Sequence, residues 1–267
     1  MHIHAENKSI RFSRRRIRLT HGDYMFSDHS KRDMHPEYEL LLSLDTGVFY
    51  AIEDKKFKLT PYSLLIVPAN CYHYPYSEPP FTGYYDRFML SFRKQMADSK
   101  LLQSVFRCPA CYQLTPEHPI SQSFLQLGEF AKSKTPEYAD LMLQTVCNKI
   151  LLDIYLLQKT IPLETVTPAT NYPVLAYIEE HLTDITSLEQ IADHLYMSTS
   201  SLTHQFRSRM GISLMKYIRQ KRLLLAHSLL EKGEKPLAVS AACGFREYTT
   251  FYKAYTSYFG FPPSKKT

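Results

Sequence analysis

Three groupings of residues are capable of chemistry by type and spacing. His35, Glu37 and Glu39 alternate in the stretch His35-Pro36-Glu37-Tyr38-Glu39-Leu40. Alternate side chains of a strand share one face, so an imidazole and two carboxylates can line one side of a pocket. Histidines with one or two carboxylates can hold a divalent ion, or such a row can form the polar rim of a small-ligand site. The rim reading is taken here, with no metal and no cofactor. The second grouping is Cys108-Pro109-Ala110-Cys111, a single CxxC. Zinc would need two more ligands, of which His118 is nearest in sequence; one pair alone reads as structural or incidental thiols. The third grouping is basic. From His194 to Leu230 there is no Asp or Glu, yet Arg207, Arg209, Lys216, Arg219, Lys221 and Arg222 fall inside that window. A second acid-free run, Tyr248 to Thr267, holds Lys253, Lys265 and Lys266. A surface that meets phosphates excludes carboxylates in this way.

Composition bounds the possibilities. The 267 residues are 44% hydrophobic and 22% charged, ordinary globular usage that excludes collagenous, coiled-coil and disordered chains. The net charge is +6, and residues 172–267, with 12 basic and 8 acidic side chains, carry +4 of it. No stretch approaches the roughly 18 consecutive apolar residues of a membrane helix, so no membrane partner is expected. No apolar segment follows Met1, so no secretory signal is expected. Five cysteines is an odd count that argues against a disulfide framework and for a reducing cytoplasm. No Gly-rich phosphate loop, nucleophile elbow or acid–base dyad stands in motif context, so the expectation is that the chain is not an enzyme. Aromatics are abundant, with 20 Tyr and 15 Phe against no Trp.

The elements that must position these residues follow from periodicity. Ile17 to Phe26, Glu39 to Leu44, Val48 to Ile52, Ser63 to Val67 and Tyr84 to Phe92 read as short strands, with Asp45-Thr46-Gly47 as a hairpin loop joining the second and third. Many short strands point to a sandwich or barrel. After about residue 119 the period becomes helical: Ile120, Phe124, Leu127 and Ala131 mark one helix. A second, about Glu137–Lys159, is apolar over a broad arc and is expected to bury against its own domain and against a second copy of the chain. Pro162, Thr165, Thr167, Pro168 and Thr170 mark a linker at 161–171. From Pro173 onward every segment is helical.

Two helix-turn-helix units stand in this last part. In the first, Leu188, Ile191, Ala192 and Leu195 face inward, Tyr196-Met197 turns, and Leu202 and Phe206 pin the second helix. In the second, Leu237, Val239 and Ala242 support, Cys243-Gly244-Phe245 turns, and Phe251, Tyr255 and Phe259 pin. Ser187 with Gln190 reads as a capping box. Ser198-Thr199-Ser200-Ser201 reads as the cap of the following helix, and Gly211 and Gly260 as stops.

These residues resemble the DNA-binding domain of the AraC/XylS family. The resemblance is carried by Tyr177-Ile178 through Ile191-Ala192, Ser201-Leu202 to Phe206, Gly211-Ile212-Ser213, Arg222-Leu223, and Cys243-Gly244-Phe245 to Pro263. It implies an α+β two-domain chain, with a cupin-like β-barrel and dimerisation helices at 1–160 and the double helix-turn-helix domain at 172–267. By position it implies Ser200, Thr203, His204, Arg207, Arg219, Tyr248, Thr249 and Lys253 as DNA-binding residues. Double-stranded DNA, RNA polymerase and a homodimer mate are the implied partners, and the implied role is a transcription regulator, an activator by preference. Pro236, Ser240 and Lys266-Thr267 depart from the family pattern.

Residues 17–92 resemble, more weakly, the cupin-type regulatory domain of the same family. The resemblance adds His73, from Pro68-Ala69-Asn70-Cys71-Tyr72-His73, to His35, Glu37 and Glu39, since metal cupins place histidines and a carboxylate at comparable positions. Tyr72 and Tyr85 join these four as expected contacts of a small polar effector, a sugar or similar metabolite. Tyr62-Ser63 depart from the pattern. The alternative reading is a metal-dependent cupin enzyme with an appended helical module. Arg14-Arg15-Arg16 is a candidate mobile arm.

Overall fold

The computed structural model describes residues 10–14, 17–26, 32–78, 83–132, 138–160 and 172–265. Arg15 and Arg16 of the basic arm, Glu137, the linker at 161–171 and Lys266-Thr267 lie outside the described residues. The chain divides into two compact units, Met1–Ala169 and Thr170–Thr267.

The first unit is layered. One sheet has six antiparallel strands in the order β1 (Ile10–Arg14), β2 (Ile17–Phe26), β8 (Gly83–Phe92), β3 (Tyr38–Ser43), β6 (Ser63–Val67), β9 (Ala110–Gln113). The other has three, in the order β5 (Lys55–Lys58), β4 (Phe49–Ile52), β7 (His73–Tyr76). Among the described residues the strands form two open sheets rather than a closed barrel. Strand alternation sorts the side chains. Leu41, Leu65, Val67 and Tyr85 pack toward Val48, Tyr50, Ile52 and Leu59, filling the space between the sheets. Leu40, Leu42, Leu64, Ile66, Phe88, Leu90 and Phe92 point the other way. They pack against α1 (Ser99–Val105), α2 (Pro119–Lys132) and α3 (Ala139–Thr160) through Leu102, Ile120, Phe124, Leu127, Ile150 and Ile154.

The expected hairpin across Asp45-Thr46-Gly47 is not one. β3 pairs with β6 and β8, whereas β4 pairs with β5 and β7, so this turn carries the chain from one sheet to the other. The reason is burial: Leu40, Leu41 and Leu42 are all buried, and a strand covered on both faces takes a central place with two partners. The tight hairpin lies one turn later, where Ile52 pairs with Lys55 and Glu53 takes a φ of 52°. The Cys108-to-Cys111 segment runs into β9, and all five cysteines are free thiols.

The second unit contains α4 (Pro173–His181), α5 (Leu188–His194), α6 (Thr199–Met210), α7 (Leu214–Glu231), α8 (Pro236–Ala242) and α9 (Tyr248–Phe259). Ser198 caps α6 by accepting from the Ser201 amide at 3.1 Å, and Gly211 and Gly260 close α6 and α9 in the left-handed region. The expected capping box at Ser187 does not form. Gln190 instead accepts from the amide and hydroxyl of Thr186, at 2.7 and 3.0 Å.

Candidate nucleic-acid interface and sensor cluster

The two helix-turn-helix units use one turn twice. In the first, the Met197 amide donates to the Ala192 carbonyl at 2.9 Å, and Tyr196 stands between them with a φ of 54°. In the second, the Phe245 amide donates to the Ser240 carbonyl at 3.1 Å, with Gly244 at a φ of 76°. Both are six-to-one closures of a helix end, which need one left-handed residue. The helices that follow repeat at a constant offset. Leu202 and Phe206 are fully buried in α6, as Phe251 and Tyr255 are in α9.

This repeat assigns the outward faces. Ser200, His204 and Arg207 are exposed on α6, and Thr203 is half-buried. The Thr203 hydroxyl donates back to the carbonyls of Thr199 and Ser200, at 2.9 and 3.1 Å, which leaves its methyl for outward contact. On α9, Thr249 and Lys253 are exposed, while Tyr248 is half-buried with its ring 6.0 Å from that of Phe251. Tyr252, 41% exposed, occupies the place of Thr203. Tyr252 is not among the contacts that the resemblance implies; the internal repeat is the signal that adds it. Arg219 is exposed on α7.

Two sequence expectations change here. The inward face of α8 is Val239, Ser240 and Cys243, not Leu237, Val239 and Ala242: Leu237 is 69% exposed. Ser240 is buried, and its carbonyl closes the helix end. Arg222, counted among the phosphate-facing cations, is spent internally. Its Nε donates to Leu182 O at 2.9 Å, Nη2 to Ile185 O at 2.5 Å and Nη1 to Gly244 O at 2.8 Å. From α7 it therefore holds the loop before the first unit and the turn of the second.

The first unit has its own polar cluster. Asn70, with a φ of 62°, donates its amide to His35 O at 2.8 Å, and Asp33 and His73 exchange amide–carbonyl bonds at 3.0 and 2.9 Å. These bonds stitch the segment before β3 to the start of β7. His35 Nε2 lies 3.3 Å from Glu39 Oε1, and His73 Nε2 lies 3.3 Å from Glu39 Oε2. Glu39 sits opposite Ser91 in the β3–β8 register, and the Ser91 hydroxyl donates to Glu39 Oε1 at 2.9 Å. Glu37 lies at the outer side, 3.4 Å from both His35 Nδ1 and Arg93 Nε. β3 begins only at Tyr38, so His35 and Glu37 approach from the preceding segment, not from a continuous strand face.

The charges are mutually dependent. Burial alone would lower the His35 pKa, but its hydrogen bond to Glu39 and the charges of Glu39, Glu37 and Asp33 raise it to about 9. Burial alone would raise Glu39, yet the hydrogen bonds and charges of His35 and His73 hold it well below the usual carboxylate range.

The two expected tyrosines lie elsewhere. Tyr72 is buried with its ring 5.8 Å from that of Tyr74, and its amide donates to Glu53 Oε1 at 2.9 Å. Its neighbour His73 takes the opposite face by alternation. Tyr85 lies between the sheets, but two residues beyond the Ser43–Arg87 pair and so at the far end of β3 from Glu39. The structure thus gathers His35, Glu37, Glu39 and His73, and separates Tyr72 and Tyr85 from them.

Comparison with known proteins places this arrangement. Residues 191–266 match a helix-turn-helix domain family. The chain is 26% identical over 252 residues to the probable transcriptional regulator LumQ of Photobacterium leiognathi, covering 89% of this chain and 92% of LumQ. It is 31% identical over 97 residues to the multiple antibiotic resistance protein MarA of Salmonella typhimurium, covering 36% of this chain and 76% of MarA. A crystal structure of an apo lysine-to-alanine variant of ToxT from Vibrio cholerae aligns over 94% of this chain and 96% of its own, at 13% identity and a TM-score of 0.41. The paired helix-turn-helix units and these relatives lead to one conclusion: the chain belongs to the AraC/XylS family of DNA-binding transcription regulators.

Proposed function

We propose that the chain is a transcription activator whose DNA binding is set by a small polar effector held in the first unit. The observation that carries this reading is the repeated turn, which presents α6 and α9 alike, each with an acid-free outward face. Ser200, Thr203 and His204 on α6, with Thr249, Tyr252 and Lys253 on α9, read base edges in two major-groove segments. Lys253 donates to guanine, and the Thr203 methyl meets a thymine methyl. Arg207, Arg219 and Tyr248 position the helices on phosphates.

The effector, a sugar or similar metabolite, sits between the two sheets of this cupin-like unit. Buried Ser43, Arg87 and Ser91 join Glu39 and His73 to give that interior its polar groups. Binding shifts the DNA-competent population, and the bound regulator recruits RNA polymerase.

A homodimer forms through α3. Its Leu143, Val146, Ile150 and Ile154 are buried within the unit, yet Leu141, Leu152 and Leu156 on the opposite face are 63%, 52% and 59% exposed. A helix that is apolar on both sides buries both.

The test is anisotropy of DNA from the promoter beside its own gene, titrated with full chain across a panel of sugars and small metabolites. One compound is expected to change affinity at least about tenfold, a coupling of about 1.4 kcal/mol. Promoter binding that no compound alters, together with no thermal stabilisation by any of them, would contradict effector control.

A further inference from the structure

We propose that His35, Glu39 and His73 form a binding site for one divalent first-row metal ion of the zinc class. This names the ligand chemistry of the sensor cluster and rests on that reading of it; DNA recognition by the second unit does not depend on it. One ligand atom from each of the three residues lies within 4.8 Å of the other two. The donors are two imidazoles and a carboxylate, a set that suits zinc and its neighbours in place of calcium or magnesium. They come from two segments far apart in the chain, joined by the Asp33–His73 and Asn70–His35 backbone bonds, so the fold itself builds the constellation.

Glu39 stands between the two rings. His35 Nε2 lies 3.3 Å from its Oε1 and His73 Nε2 lies 3.3 Å from its Oε2, so one carboxylate faces both imidazoles.

The supporting bonds are also those a metal site needs. His73 Nδ1 lies 2.9 Å from the Cys71 carbonyl, which can only accept. A proton on Nδ1 leaves Nε2, the atom facing Glu39, to ligate. The Ser91 hydroxyl holds the Glu39 carboxylate in place. Three protein donors leave at least one position for water, or for a hydroxyl or carboxylate of the effector.

The experiment uses full-length chain stripped with a chelator and titrated with Co2+ and Zn2+. One equivalent of Zn2+ is expected to survive gel filtration, and Co2+ is expected to give visible d–d absorption that saturates at one equivalent. His35→Ala, at a half-buried position before β3, should weaken binding at least about tenfold with an unchanged circular dichroism spectrum. His73→Ala should do the same. Cys108→Ser with Cys111→Ser should leave binding intact. No stoichiometric metal, or metal lost with the cysteines and kept by His35→Ala, would overturn the proposal. Stoichiometric metal without any effect on promoter affinity would uphold the site and instead refute its part in effector control.

Discussion

Arg222 Nη1 donates to the carbonyl of Gly244 at 2.8 Å, and the same guanidinium holds Leu182 and Ile185. Gly244 is the turn residue of the second helix-turn-helix, so one side chain on α7 ties that turn to the loop before the first. A Cβ at residue 244 would lie 2.4 Å from the Thr183 carbonyl oxygen and 2.9 Å from Arg222 Cζ, at a φ of 76°. Gly244→Ala is expected to destabilise the second unit by at least about 2 kcal/mol in urea denaturation. Arg222→Lys keeps the charge but cannot span three acceptors; about 1.5–3 kcal/mol of stability should go. Its affinity for a two-segment DNA site should fall more than that for a single segment. Equal losses on both DNAs would show that Arg222 does not set the phase of the two units.

Tyr196 holds the equivalent turn of the first unit in the left-handed region while 97% exposed. A non-glycine residue there costs roughly 1–2 kcal/mol, partly offset by the chain entropy that glycine loses. Tyr196→Gly should therefore raise stability by about 0.5–1 kcal/mol, read as a higher urea midpoint. A lower midpoint would mean that the tyrosine ring contributes more than its backbone strain costs.

Much of this was legible in the sequence because it is local. The apolar spacing of Leu202 and Phe206, the Ser198 cap and the stops at Gly211 and Gly260 act within one or two turns, and the structure has them. What failed was non-local. Nothing near Asp45-Thr46-Gly47 says that β3 will pair with β6 and β8, since strand partners are chosen by burial across the unit. The inward face of α8 was misread because polarity does not track burial there: Ser240 is buried, whereas Leu237 is 69% exposed. Arg222 looked like a surface cation until its three acceptors were in view. His35, Glu37, Glu39 and His73 were nominated together and do converge, but through a turn at Asn70 and a β-bridge, not along one strand. Tyr72 fell on the wrong side by one step of alternation.

The exposed face of α3 gives a prediction on assembly. Replacing Leu152 and Leu156 by Glu removes apolar contact from the proposed dimer and leaves the inward Ile150 and Ile154 untouched. Sedimentation equilibrium should show a dimer for the parent chain and a monomer for L152E/L156E, with the unit still folded by circular dichroism. A parent chain that is monomeric at high concentration would remove the dimer from the account.

The buried thiols set an alkaline limit. Burial pushes Cys147 up to about 12 and Cys243 to about 11, and both are almost fully enclosed. A folded-state pKa above the unfolded value of 9.0 contributes stability that is present below pH 9 and lost as pH rises toward 11 and 12. The urea midpoint should thus decline above pH 9. At pH 8, iodoacetamide should label Cys147 and Cys243 only on unfolding, as followed by peptide mass spectrometry. Labelling of the folded chain at the unfolded rate would contradict this burial.

In the proposed docking, α6 and α9 present acid-free faces to two segments of one DNA. Anisotropy of promoter DNA with the full chain, across a range of salt concentrations, tests it most directly. The log of the affinity should fall steeply and linearly with log salt. Thr203→Ala with His204→Ala should weaken promoter binding by at least about tenfold, since a good base contact is worth about 1–3 kcal/mol, and should leave binding to unrelated DNA almost unchanged. Affinity that ignores salt, or that survives both substitutions, would contradict the docking described.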